Sequence, residues 1–160
     1  MKFADLIREM GAAAVRGDGP GVAACFTADG VYHDVFYGSF RGREAIADMI
    51  ENRFHRDAEE FRWDMHDPVE QGGVGYARYV FSYRSKLPGH EGRRAVFEGV
   101  AVCRLRDGLI ADYSEVANAV TGLSMLGFEV ERIGKFAARQ ARELCARGES
   151  EGHSGDSDPL

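Results

Sequence analysis

Phe26-Thr27-Ala28-Asp29-Gly30-Val31-Tyr32-His33-Asp34-Val35-Phe36-Tyr37-Gly38-Ser39-Phe40-Arg41-Gly42-Arg43-Glu44-Ala45-Ile46 contains a helix end, a strand and a helix start in one stretch of chain. Asp29-Gly30 is turn chemistry and closes the element before it. From Val31 to Tyr37 the side chains alternate as on a pleated strand. That alternation sets Tyr32, Asp34 and Phe36 on one face and Val31, His33 and Val35 on the other. Gly38 and Gly42 bracket a turn. Arg43 then opens a helix to about His55, with Ala45, Ile46, Met49, Ile50 and Phe54 as its inward stripe.

Upstream, Phe3, Leu6, Ile7, Met10 and Ala14 recur at helical spacing until Gly17-Asp18-Gly19-Pro20 stops the helix. Pro20 suits the first turn of a second, short helix with Val22, Ala23, Cys25 and Phe26 on its buried side. Downstream, Phe61 to Val69, Val74 to Leu87, Arg93 to Leu105 and Leu109 to Ala119 are β-rich runs separated by glycine-containing turns. Helices followed by an antiparallel meander give an α+β fold, with a strongly bent sheet wrapped around three N-terminal helices. After the last strand, Val130, Ile133, Phe136, Ala137, Ala141 and Leu144 mark an extra C-terminal helix. Its stripe needs a surface, either this chain's own cavity mouth or a neighbouring subunit. Residues 1–147 read as a single domain, and 148–160, almost without apolar residues, as a disordered tail.

The opening stretch resembles the signature of the nuclear transport factor 2-like superfamily, SnoaL-like branch: a short helix ends, a strand carries an aspartate inward, and a glycine-arginine turn starts the next helix. The resemblance implies a cone-shaped cavity shared by ketosteroid isomerases, polyketide cyclases, dehydratases, limonene epoxide hydrolases and non-catalytic proteins. It also implies a role for Asp34. The spacing Phe26-x-x-Asp29-x-x-x-x-Asp34 puts Asp34 where the isomerases carry their general-base aspartate, and an apolar cavity would raise its pKa toward a usable range. The alternative reading makes Asp34 a strand-end carboxylate bonded to the amides of the following turn. The rest of the isomerase machinery is missing, since Met10 and Ala101 fall where the relatives carry hydrogen-bond donors. An enolate would therefore need another stabilising group.

On the last strand, Tyr113-Ser114-Glu115-Val116-Ala117-Asn118 resembles the segment in which SnoaL-like cyclases and epoxide hydrolases carry acidic or amide residues. With Ser114 and Asn118 inward, Asn118 would orient a water or a carbonyl, while Tyr113 and Glu115 would face outward. The other reading of Asn118 is a cap before Thr121. Tyr32 is expected with Asp34 and Asn118 in the catalytic set, positioning the substrate. Phe36, Trp63, Tyr79, Phe81, Tyr83 and Phe97 are expected with Ser114 as substrate-binding wall, with tyrosine hydroxyls as handles for an oxygenated apolar ligand. Gly99 and Ala101 would keep volume open beside them. His33 reads as a surface or interface residue, and His66 is an outside candidate for the cavity.

Composition narrows the remaining classes. The net charge of −6 leaves no basic footprint for nucleic acid. No run approaches the roughly 18 apolar residues of a membrane span. Cys25, Cys103 and Cys145 are too dispersed for a zinc motif or a disulfide framework, which fits a reducing, cytoplasmic setting. Neither a phosphate-binding glycine loop nor a Gly-x-Ser-x-Gly elbow occurs. The expectation is an enzyme without cofactor or metal that isomerises, cyclises, dehydrates or hydrates an oxygenated apolar metabolite, or else a non-catalytic binding or scaffold protein of the same fold. A homodimer is expected under both, because a Val- and Tyr-rich outer sheet face should not stay bare.

Overall fold

The computed structural model describes residues 1–153. Helix α1 (Phe3–Arg16) buries Leu6, Ile7 and Met10 completely and ends at Gly17, whose φ of 73° is a left-handed cap. Helix α2 (Gly19–Ala24) starts at Asp18, whose carboxylate accepts the Gly21 amide at 2.8 Å. Strand β1 (Phe26–Asp34) follows at once, and β2 (Gly38–Arg41) folds back on it.

Around β1, two boundaries differ from the sequence reading. The strand starts at Phe26, running straight through Asp29-Gly30, and Gly38–Arg41 is a short strand where a turn was expected. Asp34 causes the second difference. Its Oδ1 accepts the amides of Phe36 and Tyr37 at 2.8 and 2.9 Å, closing the reversal three residues earlier than the glycines suggest. The start of the next helix is tied back to β1: Gly42 donates to the Gly30 carbonyl, and the Arg43 guanidinium donates twice to the Phe26 carbonyl.

Helix α3 (Arg43–Met49) continues through a π-helical turn (Ile50–Phe54) into α4 (His55–Asp57). The extra residue in that turn sets Phe54 inward, stacked on Phe61 at 4.6 Å. The chain then reaches the far edge of the sheet and returns as a meander: β3 (Ala58–Gln71), β4 (Val74–Ser85), β5 (Arg94–Arg106) and β6 (Leu109–Ala117). The order is β2-β1-β6-β5-β4-β3. All neighbours are antiparallel except β1 and β6, which run parallel because the meander arrives beside β1 from the opposite side.

The sheet curls around α1 and α3, and the core lies in that concavity. Helix α5 (Ala119–Met125) rests on β5, with Gly122 against Phe97. Helix α6 (Val130–Cys145) has no buried residue but lays Phe136 against Phe36 at 5.5 Å. It therefore covers this chain's own cavity mouth, one of the two surfaces the sequence left open. A 3-10 turn (Gly148–Ser150) lies within the stretch read as tail, and residues 154–160 lie outside the described residues. No helix among the described residues is long and apolar enough to cross a membrane.

Candidate active site

The cone has two compartments. At its deep end Tyr32, Asp34, Trp63, Tyr79, Phe97 and Glu115 surround a chamber of about 30 Å³, room for roughly one water or one oxygen of a larger molecule. Asp34, Phe36, Phe54 and Phe81 also line the second compartment, about 420 Å³, which opens beneath α5 and α6.

Glu115 is the centre of the deep chamber. Tyr113 donates its hydroxyl to Oε1 at 2.5 Å, and Tyr79 donates to Oε2 at 2.8 Å. Tyr32, fully buried, packs on Tyr113 with ring centroids 4.6 Å apart. Removal from water pushes the Glu115 carboxyl up from its ordinary 4.5 to about 7; the nearby Asp34 charge adds to the rise, and the two tyrosine hydrogen bonds oppose it. Asp34 moves the same way, through burial first, while its two amide bonds and the Arg139 guanidinium pull it back. Two carboxyl groups, both favoured in their neutral form by burial, thus share one small space. Among the described residues, the second oxygen of Asp34 has no hydrogen-bond partner.

Tyr79 reaches Glu115 by crossing a whole strand. It stands on β4, Glu115 stands on β6, and Gly99 of β5 lies between them. A Cβ at Gly99 would come within 2.6 Å of the Tyr79 hydroxyl and 2.8 Å of the Val116 carbonyl. The absent side chain makes room for the phenol rather than for a ligand.

The expected face of β6 is corrected by this geometry: Tyr113, Glu115 and Ala117 point inward, opposite Cys103, Ala101 and Gly99. Counted back from the Asp107-Gly108 turn without interruption, Ser114 would oppose Ala101. A bulge between Leu105 and Arg104, where the partner jumps from Ile110 to Asp112, shifts the register by one residue and reverses the faces beyond it. Ser114 accordingly turns away from the deep chamber and lines, with Arg104 and Asp112, a wider groove of about 940 Å³ that also reaches Asp34 and Glu115. Asn118 is exposed at the start of α5, its amide bound to the Glu98 carbonyl and its own carbonyl accepting from Thr121. It holds a capping place, not a place in the chamber.

The remaining expected wall residues come together. Phe36 and Phe81 line both compartments, Trp63, Tyr79 and Phe97 the deep one, and Tyr83 the mouth. The Trp63 indole nitrogen is buried without a partner among the described residues. His33 faces out, bound to Ser39 at 2.7 Å and Asp112 at 3.1 Å. His66 does not line either compartment. His90 accepts no cavity role either: its Nδ1 bonds the Leu126 carbonyl and its ring packs on Phe128, which ties the β4–β5 loop to the α5–α6 junction.

At the mouth, Tyr37 donates to Asp57 at 2.9 Å, and the Arg56 guanidinium bonds both oxygens of the same carboxylate. These contacts, Arg56 foremost, hold Asp57 below its ordinary range.

The model of the SnoaL-like domain matches residues 7–113. Among curated proteins, none matches this chain. Solved structures do. A protein with a ketosteroid isomerase-like fold from Catenulispora acidiphila, in complex with trimethylamine, superposes with a TM-score of 0.71 at 18% identity, covering 81% of this chain and 98% of that one. IdmH, a putative polyketide cyclase from Streptomyces antibioticus, gives 0.65 at 20% identity over 80% of this chain and all 100% of its own. An LEH-like epoxide hydrolase from M. tuberculosis gives 0.62 at 18% identity, covering 76% and 86%. At these identities the structural likeness speaks for the fold alone.

Proposed function

The chain belongs to the SnoaL-like domain family, and from that premise we propose that it is a cofactor-independent proton-transfer enzyme acting on an oxygenated, largely apolar small molecule. One observation carries the reading: Glu115, clasped by Tyr79 and Tyr113 beside Asp34, is a carboxyl group poised near neutral pH where an apolar cavity narrows. A general acid or base works best when its pKa lies near the working pH, and most surface carboxylates lie well below it.

The size of the deep chamber suggests how the work divides. The hydrocarbon body of a substrate fits the mouth compartment, while only a single oxygen or a water fits beside Glu115. In its protonated form Glu115 would give its proton to a carbonyl, hydroxyl or epoxide oxygen placed there. The free oxygen of Asp34, at the junction of the two compartments, would take a proton from carbon or from a water. Tyr79 and Tyr113 then stabilise the Glu115 carboxylate left behind, and Tyr32 holds Tyr113 in place by packing. Isomerisation, cyclisation, dehydration and hydration all use this pair of transfers. Neighbouring folds named as cyclase and epoxide hydrolase are compatible with two of them.

Difference infrared spectroscopy tests the proposal without a substrate. A carboxylic acid C=O band that titrates near pH 7 and vanishes in Glu115→Gln is the expected result. A Glu115 that ionises near the ordinary carboxylate value of about 4.3 would remove the basis of the reading.

A second reading has a specific observation in its favour. The two amide bonds to Asp34 Oδ1 are those of a structural turn, so Asp34 would be indispensable even to a non-catalytic binding protein. Such a protein would keep full ligand affinity in Glu115→Gln and show no turnover of any bound compound. For either reading we propose a homodimer through the outer sheet face, where Tyr76, Val100 and Val116 are exposed.

A further inference from the structure

The wall that α6 gives to the mouth is charged where an apolar residue would be expected. Arg132, Lys135, Phe136 and Arg139 share one face of the helix, at helical spacing, and all four line the compartment. Opposite them stand Phe54, Phe61, Phe81 and Leu123, all apolar. A helix that only closed a hydrophobic cavity would turn its apolar stripe inward, yet Val130 and Leu144 of α6 are exposed.

The carboxylates available to these cations are already engaged or weakened. Asp57 is held by Arg56 and Tyr37. Asp34 gives one oxygen to two amides, and of the three cations only Arg139 acts on it. Lys135 pairs with Glu131 at 2.8 Å, but both groups are highly exposed, and such a pair holds little. Arg132 lies over the Phe128 ring at 4.4 Å with no carboxylate partner among the described residues. Arg139 donates to the Val35 carbonyl, and its buried Nε forms no hydrogen bond, with the nearest Glu143 oxygen at 3.6 Å. In a chain of net charge −6, the mouth is a local cationic site backed by aromatic surface.

We propose that the ligand of this cavity is an organic anion: an apolar, ring-bearing body lying among the phenylalanines and a carboxylate or similar acidic group held at the mouth by Arg132, Lys135 and Arg139. A guanidinium and an ammonium converging on one acidic group give charge-assisted hydrogen bonds, and low-dielectric walls strengthen them. The inference rests on the reading of the cone as a binding cavity and adds the substrate class. The acidic group docks at the mouth, which leaves the opposite end of the molecule to enter the chamber of Glu115.

Two fluorescent probes with the same hydrocarbon body test it: anionic 1-anilinonaphthalene-8-sulfonate and neutral N-phenyl-1-naphthylamine, titrated against wild type and the double variant Arg132→Gln/Lys135→Gln. The wild type is expected to bind the anion at least about tenfold more tightly at low salt, a preference on the scale of one or two charge-assisted contacts. That preference should fall with added salt and collapse in the double variant, while the neutral probe's affinity holds. Both replaced side chains are exposed, so the variant should remain folded, which circular dichroism checks. Equal affinities in wild type, or an anion preference untouched by the double substitution, would overturn the anionic class while leaving the cavity reading in place. Failure of the neutral probe to bind at all would overturn both.

Discussion

The deep end and the mouth of the cone solve opposite problems with similar residues. At the deep end the central carboxylate is matched within the chain: two tyrosines take the two oxygens of Glu115, and a third packs behind them. The arrangement is rigid, small and built on strands. At the mouth, charges project from a helix with no buried residue, over aromatic rings and with partners that are exposed or absent. On the function proposed above, the difference teaches that fixed geometry would serve the step in which a proton moves and adaptable surface the recognition of a molecule.

The strongest way to break that comparison is to remove the acid. Glu115→Gln keeps the volume and should lower turnover of any substrate found by about 10²-fold or more, measured as kcat. Arg132→Gln should act on KM and leave kcat within a few-fold. A kcat loss at the mouth equal to the loss at the deep end would mean that the two compartments do not divide the work.

Stability against pH sharpens the same contrast. Because the folded Glu115 holds its proton up to about 7 and the unfolded one only to about 4.5, the native state binds more protons between those values. Its contribution is therefore full below about 4.5 and lost as pH rises through about 7. Relative to Glu115→Gln, wild type should lose up to about 3 kcal/mol across that window, an upper bound because the side chain is not wholly sealed from solvent. Urea unfolding at four or five pH values gives the slope. Parallel curves for the two proteins would place the titration elsewhere.

Gly99→Ala is the next smaller effect, an overpacking cost of about 1–3 kcal/mol. It should also move the Glu115 titration upward, since losing the Tyr79 bond removes a contact that favours the charged form. Tyr79→Phe should shift the titration the same way with a smaller stability loss, about 1 kcal/mol. A glycine replacement that changed stability but left the titration in place would show that Tyr79 finds another path to Glu115.

Truncation after Phe128 should matter least to the fold. No residue of α6 is buried, so the melting temperature should fall by only a few degrees, while the preference for an anionic probe disappears. Global unfolding of the truncated chain would make the mouth part of the core after all.

The helices, the meander and the inward face of Tyr32 and Asp34 were legible because each depends on local periodicity, whereas Phe36 reaches the cavity from the turn after the strand, together with Val35, which alternation set on the other face. Glu115 was not, since its direction depends on one residue of bulge that leaves no compositional mark in Leu109-Ile110-Ala111-Asp112. A signal did exist in volumes: Ala101 and Cys103 are small neighbours that suit a Tyr113 and a Glu115 on the same face better than a Ser114. Asp34 was legible as an inward carboxylate, and the structural one of its two expected roles is present, on one oxygen, while the other oxygen accepts no hydrogen bond among the described residues. The cations of α6 were hidden by an apolar pattern of which Phe136 lines the cavity while Val130 and Leu144 stay exposed.

The parallel contact between β1 and β6 has a consequence in time as well as in space. It joins the first strand of the chain to the last, whereas every other pairing in the sheet closes a short hairpin or rests on one already formed. Loop-closure entropy delays such a contact until the meander is in place, so folding should reach it late and unfolding should release it early. Tyr32 and Asp34 come from one side of that seam, Tyr113 and Glu115 from the other. The proton-handling site would then be the last thing this protein completes on its way to the native state, and a molecule bound across the seam would act as a brake on its coming apart.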